Sequence, residues 1–416
     1  MTASQATSVL SFGAVLRLRV LRRLWYAQMV STFGDFLAIF AIISVVSFQL
    51  HGTPAQVTWV QISYLLPFAL FGAIAGVFVD RWPLKPTMIL SDVVRAVLIA
   101  LLIFATHIWQ FYAVLVGISL VSIFFMPAQS VVVRLAVPRE GLLSANALMQ
   151  QVFFIMRIAG PAAAGLLVAA FGARICYITD SISFLASACL IASLSVSRPP
   201  DDATAHVAPA TSGVRKVFTE LAAGLSFIVH HGELMFTISA FAAGMFIMGC
   251  FAPLVAIYVR ESLHQSTRLF GAVGALIGFG LLIGTAGLRM FATRISNRAL
   301  VLGGLAGIAL GLLLLAALAK IAVTVVATLI IGVSVATIIV PAQTLMQQET
   351  PPALLGRVSS TVMSVIITAQ VLGLMLAAAL TQTTGVALMF VLCAVFLLLL
   401  VAIGSRIRHT PVIAAP

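Results

Sequence analysis

Asp35 and Arg157 are charged side chains inside apolar stretches of this 416-residue chain, where they could carry or neutralise charge within a membrane. Asp35 occupies the stretch STFGDFLAIF, and Arg157 precedes the pair Gly160-Pro161 by one helical turn. An ionised carboxylate in hydrocarbon is costly, so a chain that retains one there suggests a function for it. Because burial favours the neutral form of a carboxyl group, Asp35 could bind a proton on one side of a membrane and release it on the other.

Each of these charges also has a structural interpretation. Asp35 could bond to backbone or to a neighbouring helix and so fix packing. Arg157 could pair with a carboxylate such as Asp35, bind an anionic part of a substrate, or donate only to carbonyls. A third charge, Asp180, stands about two helical turns from the end of its apolar stretch. That position predicts a place near the membrane interface and a structural role.

A denser group of charges surrounds the connection between the second and third apolar stretches. It comprises Asp80, Arg81, Lys85, Asp92 and Arg95. Asp92 and Arg95 stand three residues apart, which puts them on one face of a helix. The group could pair charges and bond helix ends at a cytoplasmic turn. Alternatively, its basic members could do no more than fix the orientation of the chain in the membrane.

Several other chemistries lack the residues they need. The chain has no GxxxxGK[ST] phosphate loop, its four cysteines lie inside apolar stretches without a CxxC pair, and its seven histidines fall in tails, loops or the ends of stretches. We therefore expect no enzyme activity, no catalytic residue, no metal site and no cofactor. Energy for any transport would come from an ion gradient or from the gradient of the solute.

Apolar stretches long enough to cross a bilayer make up most of the chain. Hydrophobic residues account for 62% of it and charged residues for 8%, against roughly a quarter charged in a soluble domain. A helix needs about 20 apolar residues to cross the hydrocarbon. Stretches of that size fall at residues 24–50, 56–79, 86–106, 109–132, 143–170, 173–195, 234–258, 268–288, 299–319, 321–345, 358–381 and 384–404. The sequence therefore predicts an all-α integral membrane protein with 12 transmembrane helices.

The positive charges orient these helices. Of the 23 Lys and Arg residues, two lie within spans, and only Arg174, Arg260, Arg268 and Lys320 fall on one side. All the others fall on the opposite side, which the positive-inside rule makes the cytoplasm. Both termini are predicted to be cytoplasmic, in a multi-pass protein of the cell membrane. The net charge of +12 is spread over short groups between spans, which argues against nucleic acid as a partner and leaves the lipid bilayer.

The longest polar connection divides the chain into two halves. Residues 196–216 contain SRPPDDATAHVAPATSG, a composition typical of a flexible linker. Apolar residues then recur at helical spacing to residue 228, opposite Arg215, Lys216 and Glu220, which predicts an interfacial amphipathic helix. The predicted domains are a six-helix bundle at 1–195, a cytoplasmic linker at 196–232 and a second six-helix bundle at 233–416.

The two halves contain an internal repeat. A shift of 213 residues brings together Gly160 and Gly373, Pro138 and Pro351, Arg81 and Arg294, Lys85 and Arg298, and Arg157 and Gln370. The tripeptide Pro-Ala-Gln occurs at residues 127–129 and 341–343, where we expect it to end the fourth and tenth helices. Two parallel repeats of six helices are a recurrent plan of secondary transporters.

Each copy of the tripeptide contains a proline that removes a backbone hydrogen bond. We expect Pro127 and Pro341 to form matched bends near an inner gate. Gln129 and Gln343 would then donate to freed carbonyls at the cytoplasmic mouth. The alternative is shared ancestry without a mechanical role.

Polar, aromatic and methionine side chains are candidates for the wall of a substrate cavity. They are Gln61, Tyr64, Met126, Gln129, Gln150, Phe153, Met245, Gln343 and Gln370. Flexible, polarisable walls tolerate many shapes, which suits an amphipathic or hydrophobic solute. For any single residue of this set, contact with lipid or a neighbouring helix is the plainer interpretation.

Two motifs resemble those of the major facilitator superfamily. The segment GVFVDRWPLK, residues 76–85, is similar to the signature G-x-x-x-D-R-x-G-R-R/K, with a proline in place of its second glycine. The matching residues are Gly76, Asp80, Arg81 and Lys85. The segment RIAGPAAAGLL, residues 157–167, is similar to the Gly-Pro motif of the superfamily's antiporters, with Met156 in place of the upstream glycine. Its matching residues are Gly160, Pro161 and Gly165.

The resemblance implies a fold and a set of roles. Shorter stretches, FGDFLAIF, SDVVRA, MPAQS and VPREGLLSANAL, are similar to the macrolide-efflux and siderophore-exporter branch of the superfamily. In that superfamily helices one, four, seven and ten line the cavity, which would let Asp35 face water. In the superfamily the corresponding charged group at the cytoplasmic turn latches the two halves when the carrier faces outward, and the resemblance implies the same role here. Gating is therefore expected of both motifs and of Asp92, Arg95, Pro127 and Pro341.

These observations favour a secondary active transporter that exports small amphipathic or hydrophobic compounds, with Asp35 and Arg157 coupling transport to protons. Drugs, antibiotics and siderophores are such compounds, and we expect the carrier to act as a monomer. One alternative is a lysophospholipid flippase of the same superfamily, which also has a Gly-Asp pair in its first helix. Another is a membrane receptor or scaffold that transports nothing.

Overall fold

The protein is helical throughout the part that the structure describes. The structure is a computed structural model that describes residues 10–79, 82–195, 222, 224–291, 295–351 and 354–406. Within those ranges every regular element is an α-helix, a 3₁₀ turn or a π-helical turn. The predicted linker therefore lies largely outside the described residues.

The first half of the described chain consists of a short helix and a series of long ones. They are α1 (Phe12–Leu16), α2 (Arg19–Ser44, extended by a π-helical turn at Val45–Gln49), α3 (Pro54–Val79), α4 (Leu84–Leu101, extended by a 3₁₀ turn at Leu102–Phe104), α5 (Ile108–Ala136), α6 (Leu142–Phe171) and α7 (Ala173–Ala192). Helix α2 packs against α6 and α7, α3 packs against α5, and α4 packs against α5 and α7. Asp35 thus lies on a helix that packs against two others.

The second half follows the same order. Its helices are α8 (Gly232–Ile257, extended by a π-helical turn at Tyr258–Ser262), α9 (Thr267–Phe291), α10 (Asn297–Ala317), α11 (Ile321–Glu349) and α12 (Leu355–Arg406). Helix α12 is broken at Gly385, whose φ of 75° is not helical. Helix α8 packs against α11 and α12, and α10 packs against α11 and α12.

Irregular features of the backbone recur at the 213-residue shift found in the sequence. The π-helical turn at Val45–Gln49 corresponds to the one at Tyr258–Ser262. His51, with a φ of 49°, corresponds to His264, with a φ of 52°. Gly172, with a φ of 82°, corresponds to Gly385. Because non-glycine residues rarely adopt positive φ, the paired histidines are a specific sign that one backbone plan occurs twice.

A basic side chain bonds the end of the last helix in each half. Lys85 Nζ donates to the carbonyl oxygen of Leu194 at 2.9 Å, just beyond α7. Its repeat counterpart, Arg298, donates to the carbonyl oxygen of Gly404 near the end of α12 and lies over the Phe236 ring. Carbonyls at a helix C-terminus lack intrahelical partners and carry partial negative charge, so a cation there is stabilising.

The described chain separates into two compact units. The described residues of the first fall within 1–219 and 265–275, and those of the second fall within 220–264 and 276–416. The first turns of α9 therefore belong with the first unit, whereas the predicted domains place the whole of that helix in the second half. The reason is close packing: Phe40 stacks on Phe270 with ring centroids 4.3 Å apart, and the Ser44 and Thr267 hydroxyls lie 3.0 Å apart.

Ten helical segments of the described chain are long and apolar enough to cross a membrane. The two predicted spans outside that set correspond to α3 and α6, which have 26 and 30 residues. Some of their side chains lie outside the described residues. The number of transmembrane helices and the cytoplasmic location of both termini stay predictions.

The prediction that Pro-Ala-Gln ends two helices is wrong. Pro127 lies inside α5, which continues to Ala136, and Pro341 lies inside α11, which continues to Glu349. Proline removes a single hydrogen bond, and the neighbouring turns of a long membrane helix tolerate that loss. The tripeptides are therefore internal positions of their helices.

Two adjacent glycines in α10 provide a test of the packing. A Cβ added at Gly304 would lie 2.6 Å from Ile338 Cγ1 and 2.8 Å from the Ser334 carbonyl oxygen, whereas one added at Gly303 would meet nothing within 4 Å. Overpacking typically costs about 1–3 kcal/mol. We predict that Gly304→Val lowers the midpoint of thermal unfolding in detergent. Gly303→Val makes the same change in intrinsic helix propensity and should lower the midpoint much less. Equal effects of the two substitutions would contradict the packing of α10 against α11.

Candidate functional site

A cluster of buried charges lies inside the first unit, among α2, α4 and α7. Asp92 is 0% exposed, Asp180 is 1% exposed and Arg95 is 5% exposed. Asp35 is half-buried near the middle of the 31-residue segment Arg19–Gln49. We call these four residues the charge cluster.

The members of the charge cluster lie within electrostatic range of one another. Asp35 interacts with Arg95 and Asp92, and Asp180 interacts with Asp35 and Arg95. Tyr64, which is half-buried on α3, lies within range of Asp35, Arg95 and Asp180. The charge cluster itself therefore joins three helices, α2, α4 and α7, and Tyr64 of α3 is its neighbour.

Arg95 is held by both charge and aromatic contact. Its guanidinium forms an ion pair with Asp92 one turn earlier in α4. The same group lies 4.5 Å from the centre of the Phe125 ring on α5 and 4.4 Å from that of Phe184 on α7. A planar guanidinium stacks on aromatic faces, and this contact is stronger when water is excluded. Arg95 is therefore fixed between two helices while it neutralises Asp92.

Asp180 reaches α2 because residue 34 has no side chain. A Cβ added at Gly34 would collide with Asp180 Oδ1 and with the Ser183 hydroxyl, and would lie 3.0 Å from Asp180 Cα. The Ser183 hydroxyl lies 2.7 Å from the Asp180 carbonyl oxygen and 3.2 Å from its Oδ1. In the Gly34-Asp35 pair, Gly34 is therefore the residue against which α7 packs, and Asp35 supplies an acidic side chain next to that contact.

Two sequence-based placements need correction. Asp92 and Arg95 were predicted at the cytoplasmic turn, but they lie two to three turns inside α4 and are buried. Asp180 was predicted near the membrane interface, but it packs against the middle of α2 beside Asp35. The sequence shows where a residue lies along its own helix. The burial of Asp92 and Arg95 and the packing of Asp180 depend instead on how α2, α4 and α7 cross.

The rest of the predicted gating group is described only in part. Lys85 bonds the end of α7, as described above. Gly76 lies near the end of α3, and Asp80 and Arg81 lie outside the described residues. Arg157 lies on α6, and its side chain is also outside the described set, so its pairing with Asp35 stays a prediction.

The Gly-Pro motif of α6 occupies two helix contacts within the first unit. A Cβ added at Gly160 would collide with the Phe36 side chain, next to Asp35. One added at Gly165 would lie 2.9 Å from the Cα of Gly271, and one added at Gly274 would lie 2.9 Å from Pro161 Cβ. Small residues let helices approach closely, and here they bring α6 against both α2 and the first turns of α9.

The two glutamines of Pro-Ala-Gln have different surroundings. Gln129 is 9% exposed, and its Nε2 donates to Gln28 Oε1 at 2.6 Å, while Gln28 donates to the Thr32 hydroxyl. Gln343 is exposed. The amide of Gln129 therefore joins α5 to α2. It does not donate to a carbonyl freed by Pro127, and it is not exposed on an open cavity wall.

The other predicted cavity residues fall into two groups, one in each unit. In the first unit Gln61 and Tyr64 are half-buried, whereas Met126, Gln150 and Phe153 are exposed. In the second unit Met245 is buried and Gln370 is half-buried, with the Gln370 carbonyl oxygen against Gly249. Their role in a shared substrate cavity stays a prediction.

Sequence reasoning misplaced one member of the charge cluster, Asp180, and missed the two rings around Arg95. Asp180 had one usable signal, since it is an acid within an apolar helix. Phe125 and Phe184 had none, because an aromatic residue in a membrane helix usually contacts lipid or other apolar side chains.

Long apolar helices around an intramembrane cluster of charges define an integral membrane protein of the transporter type. Comparison with known proteins agrees with that class. The chain belongs to the Major Facilitator Superfamily, whose family model matches residues 24–366 and 237–415.

Individual relatives and solved structures are similar over most of the chain. YfiS of Bacillus subtilis strain 168, described as an uncharacterised MFS-type transporter, is 27% identical over 92% of this chain and 93% of its own length. Macrolide efflux protein A of Streptococcus pyogenes is 25% identical over 93% of this chain and 95% of its own. A bacterial homologue of the human lysosomal transporter Spinster has a TM-score of 0.70 and 14% identity, and covers 93% of this chain and 96% of its own. That structural likeness shows the fold alone.

The ion pair within the charge cluster supports a stability prediction. Breaking a buried pair leaves one charge uncompensated and costs about 3–5 kcal/mol. We predict that Asp92→Asn markedly lowers the midpoint of thermal unfolding in detergent, and that the double variant Asp92→Asn/Arg95→Gln recovers much of the loss. A double variant no more stable than Asp92→Asn alone would contradict the pairing.

Proposed function

We propose that the protein is a secondary active transporter of the cell membrane that exports small amphipathic or hydrophobic compounds by proton antiport. Asp35 is the proton carrier in this proposal. The two units alternate access to a substrate cavity, and protonation of Asp35 biases the alternation. The family assignment supports transport, and the 25% identity to macrolide efflux protein A over 93% of this chain supports export.

The observation that carries the proposal is the contrast between the two repeats. At the 213-residue shift, Asp35, Asp92, Arg95 and Asp180 correspond to Met248, Leu305, Ile308 and Cys393. These counterparts are also buried, at 6%, 1%, 1% and 5% exposed. The same backbone plan therefore packs with apolar residues at all four positions. Since the fold does not need charges there, their retention in the first repeat favours a function.

The chemistry follows from the charge balance of the site. Arg95 neutralises Asp92, so Asp35 is the half-buried acid that can gain or lose a proton with access to water. Ionised Asp35 carries one more negative charge than neutral Asp35, and that charge is costly inside a bundle of low dielectric constant. Ionisation therefore favours the conformation in which water reaches Asp35, and protonation favours the other. Proton entry from outside and release inside would drive export of the solute.

Transport in everted membrane vesicles tests the proposal. Vesicles containing the wild-type protein should accumulate radiolabelled erythromycin or ethidium when energised, and an uncoupler should abolish the accumulation. We predict that Asp35→Asn loses accumulation entirely but still equilibrates the probe down its gradient, because a permanently neutral side chain permits binding without proton exchange.

The matched control is Glu261→Gln, which neutralises an exposed acid beside Arg260. This variant should transport like the wild type. Uncoupler-sensitive accumulation by Asp35→Asn would rule out the carrier role. Movement of spin-labelled lysophospholipid without accumulation of either probe would instead favour the flippase alternative, and no movement of any probe would favour a receptor or scaffold.

A further inference from the structure

Asp180 is a buried acid that has no role in the proposed mechanism. It lies on α7 at 1% exposure, and its only described side-chain hydrogen bond is with the Ser183 hydroxyl. No basic residue on α7 neutralises it, since the one cation of that helix, Arg174, stands in its first turn. A buried carboxylate without a cation of its own favours the protonated form.

The geometry joins Asp180 to the proposed proton carrier. The missing side chain of Gly34 lets the Asp180 carboxyl approach the backbone of α2 at the residue before Asp35. Asp35 and Asp180 also lie within electrostatic range of each other. Two acids on adjacent helices therefore share one site.

The charged and titratable groups around this pair come from several helices. Helix α4 contributes Asp92 and Arg95, α3 contributes Tyr64, and α7 contributes Cys176 in addition to Asp180. Helix α6, which packs against α2, contributes Arg157, whose side chain lies outside the described residues.

Charge balance limits what the pair can do. Among the described side chains the cluster contains three carboxyl groups and one guanidinium, and Asp92 forms the ion pair with that guanidinium. Counted over those described side chains, full ionisation would leave two negative charges on adjacent helices without a compensating cation. Neighbouring carboxylates in a shared site do not ionise independently, because the first negative charge opposes the second.

We infer that Asp35 and Asp180 form a coupled carboxyl pair, in which Asp180 holds a proton and controls when Asp35 ionises. The inference rests on the proposed role of Asp35 and deepens it. Asp180 is a positioning residue: it acts on the carrier through its proton and its negative charge, and substrate need not touch it. The coupling also makes proton release from Asp35 depend on the crossing of α2 and α7.

Carbodiimide labelling of the purified full-length protein tests the pair without a transport substrate. Dicyclohexylcarbodiimide reacts with protonated carboxyl groups in apolar surroundings, and mass spectrometry locates the adduct. We predict adducts at Asp35 and Asp180 near neutral pH, and much less at the ion-paired Asp92. Labelling of Asp35 should decline as pH rises, since only the protonated form reacts.

The coupling predicts reciprocal shifts in these curves. In Asp180→Asn the decline of Asp35 labelling should move to lower pH by about one unit or more, because a neutral neighbour no longer opposes ionisation. In Asp35→Asn the decline of Asp180 labelling should move in the same direction. Cys176→Ala alters α7 one turn from Asp180 and keeps both carboxyls, so it should leave both curves in place.

The outcomes separate this inference from the proposed function. Unmoved curves in both aspartate variants, or an Asp180 that is never labelled, would overturn the pair even if vesicle transport depends on Asp35. Reciprocal shifts would support the pair even if the vesicles export neither probe. Should one aspartate variant fail to fold, the other still reports the coupling.

Discussion

A membrane bundle must neutralise or hydrate every charge that it encloses, and the described side chains of the first unit include a cluster of four. Arg95 satisfies the requirement by pairing with Asp92 and stacking between Phe125 and Phe184. That arrangement fixes α4 against α5 and α7, and among the described side chains it leaves Asp35 and Asp180 without a cation of their own. An isolated carboxylate is costly in a medium of low dielectric constant, and the proposed carboxyl pair would link the protonation of both acids to the packing of α2 against α7.

The internal duplication separates what the fold needs from what the function needs. Matched π-helical turns, paired histidines with positive φ and paired glycines at helix junctions show one backbone plan used twice. Capping of the last helix by Lys85 and by Arg298 recurs as well. The charge cluster does not recur, since the second unit places Met248, Leu305, Ile308 and Cys393 at the equivalent positions. The repeat is thus a scaffold, and its first copy carries the charge cluster to which we assign proton exchange.

Sequence patterns predicted the helices well and their contacts poorly. The length of the apolar stretches predicted most of the long apolar helices, because a helix that crosses the hydrocarbon core needs about 20 apolar residues. The motifs at residues 76–85 and 157–167 indicated the superfamily that the family model confirmed. Asp180 was assigned to the interface, and Asp92 and Arg95 to a turn, because distance along one helix says nothing about which neighbour it crosses. The bond from Gln129 to Gln28 was unpredictable for the same reason, since it depends on how α5 meets α2.

In the proposed mechanism, solute binding changes the ionisation of Asp35. Proton release on solute binding measures that linkage, with purified protein in weakly buffered detergent and a pH indicator. We predict that erythromycin or ethidium binding releases protons from the wild-type protein and none from Asp35→Asn, although the variant still binds the probe. Equal proton release from both proteins would contradict it.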